Sequence, residues 1–189
     1  MFALTKTIQH SLANTSSTLA SRFLGAIPYD HFLASKRLNE VMEALDARLL
    51  YGQDVSTHVI PITSVLVATS HLEHLLHRIG HQKKSHSNTG VLIVTAFDRS
   101  DLLFGLLMAK FSGNLPTVAG IVLTCADSKI AVTSEVMQSV EKILVDLANL
   151  PQFDASFPIF KVTACSYETA VRLNALESDI LPTSRRKIE

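Results

Sequence analysis

Two runs in this chain, GVLIVT at 90–95 and AGIVLT at 119–124, are apolar or β-branched at nearly every position. A strand with one face in water alternates polar and apolar residues with a period of two, and these runs do not. Both are therefore expected to be buried on two faces, as strands are in a parallel sheet covered by helices.

The rest of the chain fits around them. RLLYG (48–52), SVLVAT (64–69) and PIFKVT (158–163) are shorter strand candidates. Leu38, Val41, Met42 and Leu45 fall at helical spacing within 35–47, with Ser35 as the expected cap. Further helices are expected over 71–80, 99–112, 133–148 and 167–176, the last capped by Ser166. HQKKSHSNT (81–89) and 149–157 read as loops. Alternation of strands and helices specifies an α/β domain: a mainly parallel sheet with helices on both faces. In such sheets ligands collect at the carboxyl ends of the strands. Here those ends are Thr69–His71, Ala96–Arg99, Thr124–Asp127 and Ala164–Ser166.

Composition narrows the function. The chain has 189 residues, 17 basic and 17 acidic, and no net charge, which leaves no electrostatic footprint for nucleic acid. No apolar run reaches the ~18–20 residues that cross a bilayer. Cys125 and Cys165 form neither a disulfide framework nor a zinc spacing, so a reducing intracellular setting, cytoplasm or organelle matrix, is expected. Residues 1–34 have no acidic residue before Asp30 and suit either an N-terminal helix with a connector or a transit peptide. Residues 35–189 form the expected domain.

The chemistry-bearing candidates are few. Asp98 precedes its helix and reads as an N-cap, with Asp101 adding charge at the positive helix end. With Arg99 and Ser100 it also faces the strand-end crevice, where a small anionic or hydroxylated ligand would fit. His71, His74, His77 and His81 recur at helical spacing, but they point away from the leucine face and read as solvated. Cys125 and Cys165 each follow a strand, where a nucleophile could sit, yet no local base or oxyanion signature accompanies them. No metal or cofactor motif is present, and none is expected to bind.

The helix after Asp98 carries too much apolar surface for one sheet. Leu102, Leu103, Leu106 and Leu107 share one face, and Phe104, Met108 and Phe111 extend the arc to about 240°, against a stripe little over ~100° for a helix on one sheet. The surplus face is expected to meet a partner subunit or a second neighbour in the same chain.

The strand ends carry a further pattern. VLIVTAFDRSDLLFGLLMA, AGIVLTCADS and PIFKVTACSYETAVRL, in that order and spacing, resemble the DRTGG domain, the middle regulatory module of long phosphate acetyltransferases. Asp98 and Arg99 match its Asp-Arg, and Thr124 its Thr. Cys125 and Ala126 stand where the family has Gly-Gly, and glycines there permit positive φ or close approach by a ligand. Cys165 stands where the family often has Asp or Asn.

The resemblance implies a non-catalytic module that senses a small metabolite or nucleotide and assembles as a homodimer. It also implies a covalently linked acyltransferase domain elsewhere in the parent chain, converting acetyl-CoA and phosphate to acetyl phosphate and CoA. The motif matches make Asp98, Arg99 and Thr124 the expected ligand residues, joined by Ser100 and Ser166 at the same strand ends, and the surplus helix face makes Phe104, Met108 and Phe111 the expected interface residues. The alternatives are a dimerisation scaffold without a ligand and a small thiol enzyme built on Cys125 or Cys165.

Overall fold

A computed structural model describes residues 35–52, 60–82, 90–113, 115, 118–126, 131–149 and 158–176. The segment expected as N-terminal helix and connector lies outside these residues, as does most of the two expected loops. In chain order the elements are α1 (Leu38–Leu45), β1 (Arg48–Tyr51), β2 (Ile62–Val67), α2 (Leu72–Gln82) and β3 (Gly90–Ala96). Then follow α3 (Ser100–Phe111), β4 (Val118–Thr124), α4 (Ala131–Ala148), β5 (Ile159–Lys161) and α5 (Ser166–Ala175).

The strands form one sheet in the order β1-β5-β4-β3-β2. β2 through β5 are parallel, and β1 runs antiparallel on the edge of β5. The two unbroken apolar runs are the inner strands β3 and β4. Every residue of β4 is buried, and every residue of β3 except Ala96.

Because each parallel strand is laid beside the one before it, successive right-handed crossovers carry their helices to the same face. The core shows this division. Leu75 and Ile79 of α2, Leu102 and Leu106 of α3, and Val140 and Leu144 of α4 pack with Val91, Ile93, Ile121 and Leu123. On the other face Leu38 and Val41 of α1 and Leu173 of α5 pack with Leu92, Val94, Val122 and Phe160. Removing one of these side chains down to Cβ, as in Leu106→Ala, is expected to cost about 2–5 kcal/mol.

Local chemistry sets the boundaries. α1 starts after Arg37, whose N–H donates to the Glu40 carboxylate at 3.0 Å. Ser35, expected to cap it, lies buried three residues earlier, before Lys36 bridges to Ile62. α2 runs past Gly80 to Gln82, since a glycine lowers helix propensity without ending a helix. Gly105, in the middle of α3, lets the Leu72 side chain of α2 pack directly on the α3 backbone.

Candidate functional site

The helices after β4 and β5 leave on opposite faces, α4 on one and α5 on the other. The connections therefore part at the carboxyl ends of these two strands, the position where open α/β sheets form their ligand crevice. Thr124 ends β4 and Ser166 begins α5, and their hydroxyl oxygens are 2.6 Å apart. Thr124 is fully buried, and its Oγ1 donates to the Thr95 carbonyl at 3.2 Å. A hydroxyl has one hydrogen, so Ser166 is the donor within the pair, and Ser166, the half-buried member, offers only lone pairs outward.

The Asp98–Arg99 turn touches this crevice through its backbone. The Phe97 N–H donates to the Thr124 carbonyl at 3.1 Å, and the Phe97 ring is buried. Asp98 is exposed and is not the cap of α3. The helix begins at Ser100 with Arg99 in the cap position and no side chain capping it. The carbonyl of Arg99 instead accepts the N–H groups of Leu102 and Leu103. Anchoring Phe97 fixes the turn and so displaces the start of the helix beyond Asp98.

Arg99 lies folded back on Asp101, with Nε and Nη2 donating to the two carboxylate oxygens at 2.9 Å each. This pair holds the Asp101 carboxyl below its ordinary pKa, chiefly through the Arg99 hydrogen bond, and raises that of the guanidinium, chiefly through the same bond. The structure thus joins Thr124 to Ser166, and pairs Arg99 with Asp101.

Cys125, where the family motif has its first glycine, has φ of 60°. Left-handed backbone is costly for a residue with a β-carbon, which accounts for glycine in the motif. The Cys125 N–H donates to Ala164 O at 2.9 Å, and the Ala126 N–H to Val162 O at 3.0 Å. Both amides of the substituted pair are thereby engaged with the chain leaving β5. Cys165, not Ser166, caps α5: its Sγ accepts the Glu168 N–H. Ser166 is drawn away by Thr124.

Sequence reasoning missed two hydroxyls near this crevice. Thr95 Oγ1 on β3 and Thr169 Oγ1 on α5 are buried with no hydrogen-bond partner among the described residues. Thr95 stood in plain view as the one polar side chain of an apolar run. Thr169 is legible only once Ser166, one helical turn earlier, is known to face the sheet.

The remaining candidates separate. His71, His74, His77 and His81 are exposed, with His77 and His81 paired through Nε2 at 3.1 Å. Among the described residues no cluster of His, Cys, Asp or Glu could hold a metal ion. Nor is any helix there long and apolar enough to cross a membrane. On α3 Phe104 packs partly buried against the chain's own core, so the surplus apolar face reduces to Met108 and Phe111, which are 62% and 54% exposed. A cavity of about 240 Å³ lies between β1 and α4, lined by Leu49, Tyr51, Leu144 and Asn149 among others. Tyr51 pairs with Ile159, so this cavity is at the amino end of β5, away from the crevice.

Residues 40–176 match the family described as DRTGG domain. The chain is 33% identical over 165 residues to the phosphate acetyltransferase of Synechocystis sp., covering 87% of this chain and 20% of that protein. It is 29% identical over 168 residues to that of Pseudomonas putida, covering 89% and 21%. With the Escherichia coli enzyme it shares 22% over 166 residues, covering 88% and 20%. The chain thus spans about a fifth of the length of the curated relatives it matches. No solved structure matches it significantly.

Proposed function

The chain belongs to the DRTGG domain family, and on that premise we propose that it is a non-catalytic regulatory and assembly module of the phosphate acetyltransferase type. In this reading acyl transfer between acetyl-CoA and phosphate belongs to a separate, linked domain. Supporting it, the chain aligns with only a fifth of each relative while matching the family through most of its own length. The two thiols and the absence of a disulfide framework fit an intracellular setting.

The observation that carries ligand sensing is the Thr124–Ser166 hydroxyl pair in the crevice where α4 and α5 diverge. Because its hydrogens are committed, the pair suits a ligand that donates, such as a sugar hydroxyl or an amino group of a nucleotide. A thermal-shift panel of adenine nucleotides, NADH, pyruvate and acetyl-CoA tests this. A ligand at 100-fold excess over its Kd should stabilise the fold by about 2.7 kcal/mol, and Ser166→Ala should abolish the shift. A shift that survives Ser166→Ala would place the site elsewhere.

A second reading, the scaffold without a ligand, has its own support. The Cys125 and Ala126 amides are already spent, and Arg99 is held by Asp101. In both readings the exposed Met108 and Phe111 of α3 form the assembly face for a second copy. Light scattering at micromolar concentration should then report a dimer, and Met108→Glu with Phe111→Glu a folded monomer. A wild-type monomer would refute assembly, and a dimer with no thermal shift would favour the scaffold.

A further inference from the structure

The two cysteines are remote in sequence and adjacent in the fold. Both lie just past the ends of adjacent parallel strands, Cys125 after β4 and Cys165 between β5 and α5. The Cys125 N–H donates to Ala164 O at 2.9 Å, and Ala164 O belongs to the peptide unit that leads into Cys165. The covalent geometry on either side of that hydrogen bond keeps the two Cα atoms within ~7 Å, the reach of a disulfide. Both thiols are free, Cys165 is exposed, and Cys125 is partly so.

We propose that Cys125 and Cys165 are a redox modification site, closing a reversible intramolecular disulfide when the chain meets a low-molecular-weight disulfide such as oxidised glutathione. The more exposed Cys165, as thiolate, attacks one glutathione sulfur, forms a mixed disulfide and releases the first glutathione thiolate. The Cys125 thiolate then attacks the Cys165 sulfur and releases the second. Two protein thiols are oxidised, one glutathione disulfide is reduced to two thiols, and the two protons pass to those leaving groups at neutral pH.

Closure draws the Cys165 sulfur off the Glu168 N–H and so uncaps α5 beside Ser166. Oxidation would thereby reach the crevice whether or not a ligand binds there.

The test incubates the full chain in glutathione redox buffers, folded and in urea, followed by acid quench, alkylation, intact mass and peptide mapping. The folded chain should lose two hydrogens, yield a peptide linking Cys125 to Cys165, and close with an equilibrium constant at least ~10-fold above that of the unfolded chain. Cys125→Ser and Cys165→Ser should each stop at one bound glutathione. Two glutathiones on folded wild-type chain, links only between chains, or equal constants folded and unfolded would overturn the proposal. The comparison of wild-type states stands even where a variant fails to fold.

Discussion

Replacing Gly90 by Ala probes how closely β4 passes over the start of β3. The β3–β4 register shifts between the pairs Val91–Val118 and Leu92–Gly120, leaving Ala119 as the extra residue of a bulge. A β-carbon on Gly90 would lie 2.8 Å from Ala119 Cβ, 3.0 Å from Ala119 N and 2.6 Å from Ile60 Cγ2. Ile60 is half-buried and can turn aside. Ala119 is fully buried, and its nitrogen belongs to the main chain of a central strand, so relief there requires β4 to move.

Overpacking of this kind costs about 1–3 kcal/mol, and a rigid main-chain neighbour puts it near the top of that range. Alanine recovers about 0.5–1 kcal/mol of chain entropy, which leaves a net loss of about 2 kcal/mol. Gly105→Ala is the matched control. Its β-carbon would enter the Leu72 side chain, the far end of a movable residue, while helix propensity improves by about 1 kcal/mol. Its net change should lie within about 1 kcal/mol of zero. Urea unfolding followed by circular dichroism, with a common slope, measures both. A Gly90→Ala loss below about 0.5 kcal/mol, or equal losses in the two variants, would refute the reasoning.

Two further outcomes follow from the site. Arg99→Ala should let the Asp101 carboxyl rise toward its ordinary pKa, read by NMR titration. The sign is that of a depressed carboxylate: the wild-type pairing is complete above the ordinary aspartate pKa and is lost as pH falls through the lowered value. An unchanged titration would mean that Arg99 does not hold Asp101 in solution. Cys125→Gly should stabilise the fold by up to about 1 kcal/mol in the same urea assay, because relief of left-handed strain outweighs the glycine entropy cost. A loss of stability would mean that the Cys125 side chain has packing worth more than the strain.

The inner strands were legible because burial on both faces leaves a direct mark in residue type, and GVLIVT and AGIVLT carry it. The helix caps were less so. Ser35, Asp98 and Ser166 are all good capping residues, yet the helices start after Arg37, Arg99 and Cys165. A cap is chosen by the dihedral angles of the preceding turn, and those depend on partners remote in sequence. Ser166 is taken by Thr124, and the turn at Asp98 is set by Phe97 reaching the end of β4. The surplus apolar arc of α3 was visible as a pattern, but only tertiary packing could divide it between Phe104 inside and Met108 with Phe111 outside.

The first and last described stretches of the domain meet on one face. Lys36 Nζ donates to the Leu173 carbonyl at 2.6 Å, and α1 packs against α5. A domain whose lead-in and lead-out lie side by side can be spliced into a longer polypeptide as a side loop, without prising its host apart. The arrangement also decides how the domain yields to a pull. Tension between its two flanks falls on a helix pair, the Lys36 side-chain hydrogen bond and the two main-chain bonds of the Lys36–Ile62 bridge, and these peel apart before parallel strands shear. Such a pull would strip α1 and α5 first, baring Leu92, Val94, Val122 and Phe160 while α2, α3 and α4 keep the opposite face of the sheet covered.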